Sequence, residues 1–117
     1  MDRFEVVLDS YLAELFVEQL RDVLESSGFK ETLRIHEPRV MEFQVGSHLL
    51  SVQIEEPAAH QRSLAVESET LDLQPLVSRA VSRTVVDVAR RLTESLPWVG
   101  RDELCYDLQQ LLEKRLA

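Results

Sequence analysis

The sequence has very little of what builds common catalytic and metal sites. Cys105 is the only cysteine among 117 residues, so an internal disulfide and a zinc site built on cysteine pairs are both excluded. Its three glycines, Gly28, Gly46 and Gly100, are too few and too scattered for a glycine-rich phosphate loop. Nucleophile-elbow, His-Glu-x-x-His and calcium-loop motifs are also absent. We therefore expect no enzymatic activity, no cofactor and no bound metal.

The few nucleophilic and metal-ligating side chains are scattered along the sequence. Cys105 borders the apolar stripe of a predicted helix and has no cationic neighbour that would favour a thiolate, so it is interpreted as a small hydrophobic residue. Of the three histidines, His36 is predicted on the polar face of a strand, His48 on an apolar face, and His60 in a loop. This placement predicts three surface histidines that share no metal.

Positive charge is also in short supply. The chain has 21 acidic and 13 basic residues and a formal net charge of −8, which disfavours nucleic acids and anionic membrane surfaces as partners. No apolar run approaches the roughly 18 residues of a membrane span. Residues 1–5 carry acids where a signal peptide would carry bases. These features predict a cytoplasmic protein without membrane contact.

Helical periodicity dominates both ends of the chain. Apolar residues recur at helical spacing over residues 4–24, and Gly28 supplies a stop signal. A second helix is predicted over residues 73–96, with Pro75 in its first turn and Pro97 at its end. A third is predicted over residues 101–116. Three amphipathic helices are thus expected.

The centre of the chain has the patterns of strands. Residues 29–36 predict a strand with Leu33 and Ile35 on one face and Arg34 and His36 on the other. Residues 37–38 end it, because proline cannot donate to the ladder. Residues 62–67 fit either a loop or a further strand, and the sequence leaves that choice open.

Gly46 and Ser47 form the clearest turn signal, because a Gly-X pair suits a tight type II′ hairpin loop. The strands that flank this pair cover residues 39–45 and 48–55. The expected cross-strand pairs are Val45 with His48, Phe43 with Leu50 and Met41 with Val52 on an apolar face, and Glu42 with Ser51 and Gln44 with Leu49 on a polar one. A slip of one residue would mix the two faces, so this register is well specified.

Together these elements predict a single two-layer α+β domain over residues 1–117, in the order α-β-β-β-(β)-α-α. The predicted sheet is antiparallel and has its helices on one face. Three strands span only about 14 Å and seat one or two helices, not three. The surplus apolar surface must then pack on another helix or on a second copy, so a homodimer is one expectation.

Residues 74–97 form the only segment with a positive net charge. Arg79, Arg83 and Arg90 fall within about 40° of one another on the predicted helix. This stripe is a candidate face for an acidic partner or a short stretch of nucleic acid, or else an ordinary solvated surface near the acidic first helix. Trp98 is interpreted either as an exposed partner anchor or as a plug between the last two helices.

Two families resemble the chain in general features and not in a residue motif. The helix–strands–helix order is similar to that of double-stranded-RNA-binding domains, which would imply basic residues at the start of the second helix. Residues 71–75 contain none. Element order, size and acidity resemble the small chaperones of bacterial type III secretion. That resemblance implies an acidic α+β dimer without cofactors, and it carries over no residue motif.

The function predicted from the sequence is a non-catalytic protein–protein interaction or chaperone-like module. Its candidate contact surfaces are the sheet edge, the arginine stripe and the last helix. The alternative is a small-molecule-binding protein or an enzyme with a site on the open face of the sheet. His36, Glu42 and Arg34 are the candidate residues for that site.

Overall fold

In the computed structural model, residues 2–95 form one five-stranded antiparallel sheet and two helices. The elements are β1 (Asp2–Asp9), α1 (Ser10–Ser26), β2 (Lys30–His36), β3 (Arg39–Val45), β4 (His48–Glu55), β5 (Gln61–Ser68) and α2 (Gln74–Ser95). The predicted α+β class and the single antiparallel sheet are confirmed. The predicted third helix, Trp98 and Cys105 lie outside the described residues.

The sheet order is β1-β5-β4-β3-β2. Strands β2 to β5 form a meander in which each strand pairs with the next along the chain. Strand β1 joins this meander by pairing with β5. The two edges of the sheet are therefore β1 and β2.

The β3–β4 hairpin has the predicted register, pair for pair. Val45 lies opposite His48, Phe43 opposite Leu50, Met41 opposite Val52, Glu42 opposite Ser51 and Gln44 opposite Leu49. Gly46 has a φ of 57°, and Ser47 keeps a negative φ, which is the pattern of a type II′ turn. The glycine is required here because this φ is strained for a residue with a Cβ.

The prediction that residues 4–24 form one helix was wrong at its start. Residues 2–9 are a strand in which Val6 and Leu8 are buried while Glu5 and Val7 are exposed, an alternation of period two. Pairing with β5 satisfies the backbone of this segment, and helix α1 begins only at Ser10. Asp9 caps that helix, since its Oδ1 accepts a hydrogen bond from the Leu12 amide at 3.0 Å.

The segment left open between loop and strand is strand β5, which extends beyond residues 62–67 by one residue at each end. With β1 added, the sheet has five strands and a width of about 24 Å, which seats two helices of about 10 Å each. Both described helices therefore find room on one face. The surplus of apolar helix surface that suggested a second copy does not arise among residues 2–95.

The core lies between that face and the two helices. Alternate strand residues point toward the helices and join them in one apolar cluster, whose largest fully buried members include Phe16, Phe43, Leu8, Leu20 and Leu50. The helices run antiparallel, because Arg79 contacts Ser27 near the end of α1 and Arg83 lies beside Asp22, one turn earlier. Within residues 2–95, neither helix has the length and apolar content needed to cross a membrane.

Candidate functional site

The open face of the sheet is the face that neither helix covers. It consists of the strand positions that alternate with the buried ones, and most of its side chains are polar. Large apolar side chains are also present and are between 37% and 50% exposed: Val7, Leu33, Ile35 and Leu49. Within residues 2–95, a sheet face that no helix covers and that exposes such residues differs from the polar solvent face usual for antiparallel sheets.

Three of its apolar residues form a group at the β2 edge, here called the apolar corner: Leu33, Ile35 and Val40. Ile35 lies directly opposite Val40, and Leu33 precedes Ile35 by two residues on the same side of β2. A β-bulge between Glu31 and Leu33 changes the register of β2, so that Leu33 comes to lie opposite Glu42. The bulge therefore helps to bring an apolar and an acidic side chain together on the open face.

The candidate set of His36, Glu42 and Arg34 is not assembled on one face. Arg34 pairs with Met41 and His36 with Arg39, so both have the orientation of the buried, helix-facing positions. Glu42 belongs to the open face. The turn between β2 and β3 has only two residues, which puts His36 opposite Arg39, and directly paired residues share a face. The expected grouping of these three residues was wrong.

On the helix side, Arg34 belongs to an ion-pair group with Glu31 and Arg21. The Arg34 guanidinium makes two hydrogen bonds to the Glu31 carboxylate, one of them 2.8 Å long from Nη2 to Oε2. Arg21 of α1 lies 3.4 Å from the same carboxylate. Arg34 first, and Arg21 to a smaller extent, lower the pKa of Glu31 below its ordinary value. This group connects α1 to the β2 edge.

A concavity of about 260 Å³ lies on the open face, at the end of the sheet near the β3–β4 turn. The residues that line it, here called the acidic concavity, are three glutamates, three serines, one threonine and one leucine: Glu42, Glu67, Glu69, Ser47, Ser51, Ser68, Thr70 and Leu49. Glu42, Ser51 and Glu67 are successive cross-strand neighbours on β3, β4 and β5. The concavity thus begins one strand away from Leu33 of the apolar corner.

Buried Ser68 holds one wall of the acidic concavity in place. Its side chain, in a residue only 3% exposed, donates a hydrogen bond to the Leu49 carbonyl at 2.9 Å. The same oxygen accepts from the amides of Thr70, at 3.4 Å, and Leu71, at 3.2 Å. His48 Nδ1, at the start of β4, lies 2.8 Å from the Thr70 hydroxyl. These bonds order the backbone that follows β5.

The charges of the open face are unevenly balanced. Strand positions on this face include four glutamates, Glu5, Glu42, Glu55 and Glu67, and two bases, Arg3 and Lys30. Arg3 forms ion pairs with Glu5 and Glu67. Within residues 2–95, Glu42 and Glu69 form no ion pair. The acidic concavity therefore carries negative charge that its surroundings do not neutralise.

The predicted arginine stripe lies on the opposite side of the molecule, along α2. Arg79 donates to the Ser27 hydroxyl at 3.3 Å, Arg83 lies 3.7 Å from Asp22, and Arg90 lies 2.7 Å from Asp87. Arg83 and Arg90 line a shallow groove of about 500 Å³ whose walls include Gln19, Ser82 and the exposed Val86. The stripe thus lies beside the acidic side of α1, and its role in binding stays a prediction.

The histidines do not come together. His48 has the predicted apolar-side orientation opposite Val45, and His60 lies in the loop before β5 with a φ of 64°. Across residues 2–95, no three His, Cys, Asp or Glu side chains are arranged to hold a metal ion.

Sequence reasoning did not single out the acidic concavity, because Glu67 ends the segment whose structure was left open, and Ser68, Glu69 and Thr70 directly follow it. The chain matches no protein-family model, and a comparison with curated proteins likewise finds no match.

Proposed function

We propose that this protein is a non-catalytic interaction module that binds a protein partner through the open face of its sheet. The observation that carries the proposal is where the exposed apolar residues lie. Of the six large apolar side chains that are exposed within residues 2–95, four are on this one face. Burial of apolar surface contributes about 25 cal/mol per Å², so a covering partner would stabilise this face.

The dimensions of the face suit a protein partner. Five strands at about 4.8 Å each give a width of about 24 Å, and strands of seven or eight residues give a length of about 25 Å. The resulting area of roughly 600 Å² is close to the 800 Å² or so that each partner contributes to a standard interface. The mixture of apolar and polar side chains also resembles the composition of such interfaces.

The alternative function, a site for a small molecule or a substrate, has less support. Pockets that bind such ligands have volumes of about 300 to 1,000 Å³ and largely apolar walls. The acidic concavity is smaller, at about 260 Å³, and seven of its eight lining residues are glutamates, serines or threonines. Such a concavity is better suited to receive one side chain of a larger partner.

A matched pair of variants tests the proposal. Ile35→Lys places a charge in the apolar corner, and Val86→Lys places the same charge on an exposed apolar residue of α2. We expect affinity capture from the native lysate at moderate salt to lose its stoichiometric partner with Ile35→Lys and to keep it with Val86→Lys. Retention of the partner by both variants, with unchanged thermal midpoints, would contradict the proposal.

The partner in this experiment can be a second copy of the chain, as the expected homodimer requires. Light scattering of the purified protein over a range of concentrations distinguishes this case. A chaperone-like role is a further form of the same proposal, in which the partner is an incompletely folded segment.

A further inference from the structure

We propose that the occupant of the open face is a basic protein segment that carries apolar residues. Its lysine or arginine side chain enters the acidic concavity, and a neighbouring apolar side chain covers the apolar corner. This inference rests on the proposed function and adds the chemistry of the partner.

The charge of the face selects among possible occupants. Four strand glutamates and Glu69 outnumber the two bases, Arg3 and Lys30, and Arg3 is already paired with two of the glutamates. Two copies of this face packed against each other would bring like charges together, which costs several kcal/mol at an interface. A basic segment is attracted by the same charges, and this attraction also speeds its association.

The chemistry of the acidic concavity suits a cationic side chain. A guanidinium has five N–H donors and an ammonium has three, and neither has an acceptor. Carboxylates and hydroxyls supply the acceptors that such groups require. The Glu42 and Glu69 carboxylates form no ion pair within residues 2–95, so they are available to a partner. Hydrogen bonds between such ionised groups are roughly twice as strong as neutral ones.

The distance between the apolar corner and the acidic concavity limits how far apart the partner's apolar and cationic residues can be. Leu33, Glu42, Ser51 and Glu67 form one row across four strands, because each lies opposite the next. From Leu33 to Glu67 this row covers about 14 Å, and from Leu33 to Glu42 about 5 Å. An extended segment that follows the row therefore places apolar and cationic side chains within about four residues of each other.

Fluorescence anisotropy with three labelled peptides tests the inference. The first is a twelve-residue peptide in which pairs of arginines alternate with pairs of leucines, so that each face of the extended peptide carries both residue types. The second has glutamate in place of arginine, and the third has serine in place of arginine. We expect the arginine–leucine peptide to bind at least tenfold more tightly than the other two at low ionic strength.

Two protein variants with the same change in net charge separate a local site from general attraction. Glu42→Lys changes the acidic concavity, and Glu18→Lys changes an exposed residue of α1. We expect at least a tenfold loss of affinity for the arginine–leucine peptide with Glu42→Lys and less than a twofold loss with Glu18→Lys. Because Glu42 is half-buried, Glu69→Lys at an exposed wall residue serves if the first variant does not fold.

The outcomes distinguish this inference from the proposed function. Equal loss with Glu18→Lys, or no binding of the arginine–leucine peptide, would overturn the inference, and the lysate capture would still decide the proposed function. Tighter binding of the serine–leucine peptide, lost with Ile35→Lys, would support the open face and overturn the basic partner. A concentration-dependent dimer that Ile35→Lys abolishes would assign the face to a second copy instead.

Discussion

The Asp2 carboxylate accepts a hydrogen bond from the Leu73 amide at 2.7 Å and so connects the start of β1 to the start of α2. Leu73 is the N-terminal cap of α2, because its carbonyl accepts the first helical bond, from Val77, at 2.9 Å. In a capping box, a glutamate or glutamine at the third helical position would bond the cap amide. Here that position is Leu76, which has no acceptor, and Asp2 takes the role.

Replacement of Asp2 tests this contact. We expect Asp2→Ala to lower the free energy of unfolding by about 1 kcal/mol, since it removes the hydrogen bond to the cap amide and a negative charge near a helix N-terminus. Asp2→Asn keeps an acceptor and should lose less. Urea denaturation measures both, and Glu55→Ala, at an exposed position of β4, is the control. Equal losses for Asp2→Ala and Glu55→Ala would contradict the assigned role.

The contact between Glu14 and Arg39 should make a pH-dependent contribution to the free energy of unfolding. Its carboxylate binds Arg39 through two hydrogen bonds of 2.5 and 3.0 Å, which join α1 to β3 and lower the pKa of Glu14. A lowered pKa in the folded state gives stability above the ordinary glutamate value of about 4.3, and that stability is lost as the pH falls. Both side chains are more than a third exposed, so we expect less than about 1 kcal/mol.

The measurement compares Glu14→Gln with the unmodified protein in denaturant titrations at neutral pH and near pH 3. The variant should be the less stable at neutral pH, and the difference should shrink in acid, where the carboxylate is protonated. Glu18→Gln changes a neighbouring exposed glutamate and should show no such trend. A difference that stays constant from neutral to acid pH would contradict the prediction.

Substitution of Ser68 should lower the free energy of unfolding by a larger amount, because its buried hydroxyl makes hydrogen bonds with three backbone groups. Ser68→Ala leaves the Leu49 carbonyl and the Leu71 amide without this partner, and unmet buried groups cost about 1 to 3 kcal/mol. Chemical denaturation should detect this loss, and Ser63→Ala on the same strand should be nearly neutral. Indistinguishable unfolding midpoints for the two variants would show that Ser68 does not hold this wall.

Substitution of Gly46 should lower the free energy of unfolding through backbone strain alone. No atom lies within 4 Å of the place where a Cβ would be, so Gly46→Ala meets no steric clash. Its φ of 57° is nevertheless strained for alanine, and we expect a loss of about 1 kcal/mol. Thermal denaturation measures it, with Ser47→Ala as the control. A Gly46→Ala variant as stable as Ser47→Ala would contradict the turn type.

The sequence determined the β3–β4 hairpin well because several local signals agreed there. Gly46 fixed the turn, and alternation of apolar and polar residues fixed the faces on both sides of it. Residues 2–9 lacked such agreement. Phe4, Leu8 and Tyr11 fit the helical period, while Phe4, Val6 and Leu8 fit the strand period, and only the distant partner β5 decided between them.

The open face was harder to predict than the hairpin. The bulge in β2 and the two-residue turn after it decide which side Leu33, Arg34 and His36 occupy, and single-strand alternation does not reveal a bulge. The acidic concavity depends on Glu42, Ser51 and Glu67, which come from three strands. Their proximity follows from the sheet order, which the local pattern around each residue does not contain.

The sheet order also affects how the chain folds during synthesis. Strand β1 is made before the rest of the sheet, but its partner β5 follows only after α1, β2, β3 and β4 have been made. The meander can form by short hairpins, which close quickly, whereas β1 needs a long loop to close. On the ribosome, this edge strand must therefore stay unpaired while the others assemble, a period in which it is exposed to aggregation or to chaperones.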